Sequence, residues 1–422
     1  MGAVGGLTNS LPLLRPEFIM GLEEAYVPQP KKYVMQQFYP LTPVDTRNVK
    51  WDERSPLNYG LTLPSVPGAE SPIIKGGHLK QFEVEPIHFR EKYVFRQDEA
   101  VALRQPGTTG GLMSPPEMVA EKHAWIRGRI QDRFEWMGWN AARGRIAINE
   151  NNVNVTYNYN IPAHLNVTLA GNNRWNQAAT ANPLNDIMSM MALSRGFGWR
   201  FGSCWMNAAT ADVALQITQF RNFFRDAMQG GVLTGTNIFT IDLLEKILKV
   251  HLRDTPEIMV WDEGYYIERP ITVHANTGAF AVTVDDATFF EQGDQVTLVG
   301  GASNDQQLMT LNGGPVGNQL NFLTATTATY EVGSVVRAHK KHIPDGLVFF
   351  MPEFGPGIPT LGKTFLTPTE WSPGSLMAPK PGVFFETHDH TNEDPKRIEL
   401  IGGFEGISVP THTGIHAMLN VY

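Results

Sequence analysis

The sequence predicts a mixed α and β fold built around one long helix, with a proline-rich arm before it and a β-rich stretch behind it. Three observations carry that expectation. A capped apolar stripe runs from Ser114 to Gly144, alternating apolar and polar residues recur on both sides of it, and 40 glycines and 29 prolines punctuate the 422 residues.

Residues 1–75 hold Pro12, Pro16, Pro28, Pro30, Pro40, Pro43, Pro56, Pro64, Pro67 and Pro72 with little periodicity, which reads as an extended arm that cannot build its own core. From Leu79 to Phe95, Phe82, Val84, Ile87, Phe89, Tyr93 and Phe95 partly alternate with polar residues, so two strands around Pro86 and Arg90 are expected to form a long hairpin. On this reading residues 80–95 project from the body and can be deleted without unfolding it. Ser114-Pro115-Pro116-Glu117 is a capping box with proline at the first helical positions. Val119, Ile126, Ile130, Phe134, Met137 and Ala141 then trace one face of a helix that Gly144 can end in a left-handed cap. Residues 115–143 would span about 43 Å.

Ile146, Ile148, Val153, Val155, Tyr157 and Tyr159 flank the turn formers Asn149–Asn152 and predict a second hairpin with one buried face. Helices are expected at Pro183–Ser194, at Ala211–Met228 (stripe Val213, Ile217, Phe220, Phe224, Met228) and at Ile238–His251. Residues 271–338 turn to β pattern and contain an internal echo, Phe290-Glu-Gln-Gly-Asp-Gln-Val296 and Tyr330-Glu-Val-Gly-Ser-Val-Val336, which points to a small inserted β-domain. A strand at Gly346–Met351 and a loop-rich carboxyl-terminal segment with β-like ends, Val383–Glu386 and Ala417–Val421, complete the chain.

Composition excludes several functions. Charged residues make up 18% against roughly a quarter in ordinary domains, as expected where much of a surface becomes interface. Net charge −8 disfavours general nucleic-acid binding, and the absence of a long apolar run or a leader pattern disfavours membrane insertion or secretion. Cys204 is the lone cysteine, so it reads as a small buried apolar residue.

Gly357-Ile-Pro-Thr-Leu-Gly-Lys363-Thr364 matches a phosphate-binding loop and makes a nucleotide-binding protein or packaging ATPase using Lys363 the first alternative. That chemistry needs a helix to open behind the lysine, and Pro368 and Pro373 leave no room for one. A Gly/Pro surface loop is the expectation. His388-Asp389-His390, with Glu386, Glu393 and Asp394 near, suits a metal by residue type, but the flanking Thr391, Asn392 and Pro395 favour a solvated loop. No nucleophile elbow or zinc-protease helix is present, so no catalytic residue, cofactor or metal is assigned. Trp125, Trp136, Trp139, Trp199 and Trp205 read as packing and subunit anchors. A β-rich tail or adhesion component is the second alternative.

Three segments resemble the phage lambda-type major capsid protein E family of tailed bacteriophages. Glu121–Asn160 is similar to that family's spine helix and following strands, with Arg133-Phe134-Glu135 and the ending Ala141-Ala142-Arg143-Gly144. Glu257–Glu268 resembles the strand leading to Asp262, Gly264, Tyr265 and Tyr266, and His342–Met351 with the Gly355–Leu361 loop resembles the strand and turn that follow.

The resemblance implies the α+β tailed-phage and herpesvirus-type major capsid fold. Its parts would be an arm (1–75), an E-loop hairpin (76–110), the spine helix with P-domain strands (111–182), a first A-domain part (183–270), the inserted β-domain (271–338), a second A-domain part (339–370) and a carboxyl-terminal return (371–422). It implies a non-enzymatic shell subunit that forms hexamers and pentamers of an icosahedral head around double-stranded DNA, located in the virion and assembled in the host cytoplasm. A separate scaffolding protein, a portal and a decoration protein are the implied partners beside the chain itself. Phe82, Val84, Phe89, Tyr93, Trp125, Trp136 and Trp139 are the candidate interface residues, and Lys75, Lys80 and Lys92 read as solvated lysines rather than cross-linking groups.

Overall fold

The computed structural model describes residues 33–54, 79–96, 115–150, 153–196, 200–219, 222, 256–300, 305–353, 360–369, 381–390, 392 and 397–422. Its first elements are α1 (Met35–Phe38), β1 (Leu41–Pro43), β2 (Val49–Arg54), β3 (Leu79–Val84), β4 (Ile87–Arg96) and the long α2 (Pro115–Ala142). The hairpin β5 (Arg145–Glu150) and β6 (Val153–Asn158) follows, then β7 (Asn166–Thr168), α3 (Pro183–Gly196), β8 (Phe201–Met206), α4 (Ala208–Gln216) and β9 (Glu257–Val260). Next come β10 (Gly264–Pro270), β11 (Ala281–Thr283), β12 (Gln295–Gly300), β13 (Asp305–Thr310), β14 (Gln319–Asn321) and β15 (Val335–Lys341). The chain closes with β16 (Leu347–Pro352), β17 (Gly362–Thr367), β18 (Val383–His390), β19 (Arg397–Pro410) and β20 (Ala417–Asn420).

The predicted stripe of α2 is its buried face: Val119, Ile126, Ile130, Phe134, Met137 and Ala141 are each at most 6% exposed. Gly144, at φ +83°, ends the helix in the left-handed conformation expected of it, while Ser114 of the capping box lies outside the described residues. The helix lies on β19, the 14-residue strand that pairs with β18, β4 and β17. Close approach is possible because residues 402 and 403 are glycines. A Cβ on Gly402 would stand 2.7 Å from Ile126 Cγ2, and one on Gly403 would run into the Phe89 carbonyl. Across the sheet Phe89 stacks on Phe404 at 4.9 Å, and Phe134 of the helix meets Phe404 at 4.4 Å.

The second body sheet has the order β7–β20–β16–β8–β9, with α3 and α4 contributing Ile187, Met190, Met191, Ala211 and Ala214 to its core. An aromatic hub joins it to the helix: Trp139 lies 5.1 Å from Phe349 and 6.2 Å from Trp205, and Trp205 lies 6.0 Å from Trp261. At the end of α2, buried His416 donates Nε2–H to the Ala142 carbonyl at 2.9 Å. Burial pushes its pKa down to about 4, so the imidazole is neutral and serves one of the helix's unpaired carbonyls.

Several expectations change. β3 and β4 do not pair with each other. β3 pairs with β2, Val49 opposite Val84, and β4 pairs along ten residues of β19, so the hairpin is 49–84 and residues 87–96 belong to the main sheet. The alternation was read correctly but the partner was not, because Pro86 breaks the run between two strands of different sheets rather than marking a turn. Deleting 80–95 would therefore remove a body strand. The arm, expected to be extended and without a core of its own, carries α1, β1 and β2 within its described part, and β1 lies on the body as a parallel partner of β17.

The helix expected at 211–228 starts at Ala208, where Asn207 Oδ1 accepts the Thr210 amide at 2.8 Å, and ends at Gln216 as Ile217 turns extended. Phe220, Phe224, Met228 and the helix expected at Ile238–His251 lie outside the described residues. The loop-rich carboxyl-terminal segment holds the longest described strand, and the Gly362-Lys363-Thr364 surface loop is strand β17, with Thr364 and Phe365 buried.

The inserted β-domain has a core of its own, Ile267 to Ala338, and strand pairing extends it to Gly264 opposite Lys341, so chain entry and exit are neighbours. Its sheet order is β10–β15–β12–β13, with β11 paired to β14. The echo is a structural duplication. Phe290 and Tyr330 are buried, Gly293 and Gly333 take φ +86° and +94°, and Val296 and Val336 begin equivalent inward positions. Each turn binds the other copy: Gly293 N–H donates to Leu311 O and Gly333 N–H to Ile271 O. With Val296 opposite Ala338 and Leu298 opposite Val336, β10–β11–β12 and β13–β14–β15 are related by a local two-fold.

Candidate assembly surface

The spine helix α2, β4, the β5–β6 hairpin and strands β10 and β15 of the inserted domain enclose a cleft of about 860 Å³. Charged pairs fix its walls. Arg129 grips Glu91 at 2.6 and 2.7 Å, Arg133 grips Glu150 through two 3.0 Å bonds, and Arg337 holds Glu268 at 2.6 Å. Arg129 stacks over Trp125 and Arg133 over both Phe89 and Trp136, at 5.0 to 5.1 Å. Trp136 Nε1–H donates to Tyr265 Oη at 3.2 Å, tying α2 to the inserted domain. Six arginines against four carboxylates line the cleft, a local excess of positive charge in a chain of net charge −8.

The predicted interface residues divide by burial. Trp125 is 47% exposed at the cleft, while Phe89 and Tyr93 are half-buried on β4, and Tyr93 stands 6.3 Å from Trp125. Phe82 stacks on Trp51 at 5.3 Å in the two-stranded β2–β3 sheet. Val84, Trp136 and Trp139 are at most 7% exposed and are enclosed by the chain's own atoms, so they offer a neighbour almost no surface. Apolar residue type drew attention to them, and a sequence does not separate an aromatic that fills a core from one left outside.

Sequence reasoning missed the role of Glu135. Its carboxylate, 1% exposed, accepts the Val34 amide at 3.2 Å, the Met35 amide at 2.9 Å and Trp139 Nε1–H at 2.9 Å, and so clamps the start of α1 to the spine. Loss of solvent pushes its pKa up to about 7 against the pull of those three donors. Gly138 lets α1 sit close, since a Cβ there would lie 2.6 Å from Met35 Cβ. A charged residue at a helical position on the apolar side, followed by Gly138, was the available signal.

The sequence profile described as phage major capsid protein E matches residues 25–240, just over half of the chain. The chain belongs to that family. The match takes in Glu121–Asn160, and the other two segments that suggested the resemblance lie beyond it. A solved prophage protein of Escherichia coli CFT073 assigned as a capsid protein is similar over 97% of this chain and 99% of its own, at 12% identity and TM-score 0.52. A phage-related protein of Bordetella bronchiseptica RB50 is similar over 96% of both chains, at 11% identity and TM-score 0.49. A chain of the cyanophage P-SCSP1u capsid structure is similar over 92% of this chain and 88% of its own, at 8% identity and TM-score 0.44. No curated protein matches at a significant level.

This capsid protein E member has the tailed-phage capsid fold, mixed α and β, and its role is structural, as a component from which a capsid is formed. The competing chemistry meets the geometry poorly. Lys363 is exposed on β17, which runs between β1 and β19, so no helix N-terminus stands behind it to hold a phosphate. His388 and His390 do not lie in a loop. They share one face of β18 at 6.4 Å, beside Glu386 and Glu399, and among the described residues no three His, Cys, Asp or Glu side chains converge as a metal site. Cys204 is fully buried, and burial pushes its thiol pKa far up. Among the described residues no helix is long and apolar enough to cross a membrane.

Proposed function

We propose that this capsid protein assembles with copies of itself into hexamers and pentamers that close an icosahedral phage head around double-stranded DNA. Membership of the major capsid protein E family carries the reading. Its surface chemistry supports it: only 18% of residues are charged, and large apolar side chains such as Trp125, Tyr266 and Phe280 are about half exposed or more, as in a subunit whose outside is covered by neighbours. The β2–β3 hairpin pairs with no other described strand and takes the place of the projecting element first assigned to 76–110. Phe82 on that hairpin, Phe89 and Tyr93 on β4 and Trp125 on α2 are the residues assigned to subunit contacts.

On this reading the protein works without catalysis, cofactor or metal. A separate scaffolding protein and a portal direct assembly in the host cytoplasm, a decoration protein is a further partner, and the mature site is the virion. The net charge of −8 keeps the shell from adhering to the packaged DNA. Negative-stain microscopy of the chain expressed with and without its scaffold tests the reading. Closed shells of uniform curvature are expected with the scaffold, whereas soluble trimers or open tubes under every condition would overturn it in favour of a tail component.

A further inference from the structure

We infer that the inserted β-domain is itself an assembly contact: an apolar stripe on one edge of it packs against an apolar pair on the opposite edge of the inserted domain of a second copy. The inference rests on the shell-forming reading above. No lysine or arginine occurs between Arg269 and Arg337, and residues 295–330 hold one charged side chain, Asp305, in a chain that is 18% charged overall. Charge is depleted in this way at the buried centre of protein contacts, whereas surfaces that stay in water normally carry it.

The exposed apolar side chains of the domain fall into two sets away from its root. Leu308 on β13, Leu323 and Phe280 are each 57–64% exposed. The Leu323 amide donates to the Thr310 carbonyl at 3.0 Å and the Phe322 amide to the Phe280 carbonyl at 2.8 Å, so the three residues lie on adjacent segments and make one stripe across them. Val273 and Val332, 55% and 65% exposed, stand opposite each other between the hydrogen-bonded pairs Ile271–Ser334 and Ala275–Tyr330. Val273 follows β10 and Leu308 lies on β13, the two outer strands of the β10–β15–β12–β13 sheet, so the sets occupy opposite edges. None of these five side chains lines the cleft over α2.

Two different apolar sets on one domain are what a head-to-tail contact between identical subunits requires, whereas an accessory protein needs only one. Charge argues the same way. Two copies of a chain with net charge −8 oppose each other over most of their surface, and the uncharged stripe lets a neighbour approach without that opposition. A cationic accessory protein would find only Asp305 to pair with along residues 295–330. Repetition around a capsomer then makes contacts that are weak singly effective together.

The test uses the full chain carrying Leu308→Cys and Val332→Cys, singly and combined, assembled with the scaffold and treated with a short bismaleimide; Cys204 is buried and does not compete. Shells of the double variant are expected to give a ladder of chain multimers, and shells mixed from the two single variants a dimer. Shells that form normally without a cross-link overturn the contact. Dimers from Leu308→Cys alone overturn its head-to-tail form, and adducts with another protein only overturn the assignment to a second copy. Failure of the wild type to assemble overturns the shell reading instead. Leu308→Glu gives an independent readout. Because the position is exposed, the unassembled variant keeps the wild-type melt, while the concentration needed for sedimenting shells rises about tenfold, as for loss of one interface anchor. Adding Val332→Lys is expected to reverse most of that rise, and no recovery overturns the pairing of the two sets.

Discussion

Among the described residues, the buried core of the inserted domain runs from Ile267 to Ala338, whereas the buried core around α2 collects residues from Val34 to Met418. The first is a duplicated unit whose two halves lock each other's turns and whose ends leave side by side at Gly264 and Lys341. The second waits for the end of the chain, because β19 lies beneath the spine helix and pairs with β4, β17 and β18. Contacts close in sequence are reached at little entropic cost, and distant ones are not. The capsid body is therefore a long-range structure carrying a local one.

The largest expected effect separates the two regions outright. Residues 264–341 expressed alone should give a soluble domain with a single cooperative melt, while a chain truncated before Arg397 should lack a folded body. Circular dichroism melts of both would break the comparison if the isolated insertion were unfolded or the truncated body still melted cooperatively.

The same contrast explains what the sequence disclosed. α2 was legible residue by residue because its stripe, proline start and glycine end are local signals, and the insertion was legible from its 40-residue echo. The β4–β19 pairing was not, because nothing near Ile87 states that its partner lies more than 300 residues on, and Gly402, Gly403 and Gly406 made β19 resemble a loop. Those glycines are demanded by the tight packing of α2, Phe385 and the β4 and β17 backbones against the strand. The interface candidates followed the same rule. Exposed Trp125 and buried Trp139 lie on one helix, and Trp139 is covered by Phe349 of β16 and Trp205 of β8, residues far from it in sequence.

A medium effect probes glycines of the two kinds. Gly403→Ala places a Cβ against the Phe89 carbonyl and 3.1 Å from Arg90 Cα, backbone that cannot yield, and should cost about 1–3 kcal/mol. Gly333→Ala meets no atom within 4 Å and strains only its own φ of +94°, so it should cost about 1 kcal/mol, and Gly293→Ala should match it because the two turns are equivalent. Denaturant melts of the three variants rank these costs. Unequal losses at Gly293 and Gly333 would show that the duplication is not energetically symmetric.

The smallest effect reports on the clamp between arm and spine. Glu135 has a folded pKa of about 7, above the usual carboxylate range near 4.5, because burial favours the neutral acid. Between pH 4.5 and 7 the folded body therefore holds a proton that the unfolded chain has released, and stability falls as pH rises through that window. His416 acts in the opposite direction. Its folded pKa of about 4 lies below the ordinary value near 6.5, so its contribution is complete above pH 6.5 and lost on acidification toward pH 4. The raw pH profile of the body mixes the two, and a difference between wild type and Glu135→Gln isolates the carboxyl. The wild type's stability relative to that variant should decline from pH 4.5 to 7 and level off above it. A difference that stays constant across the window would mean that Glu135 is ionised throughout, held by the Val34 and Met35 amides and Trp139 strongly enough to offset its burial.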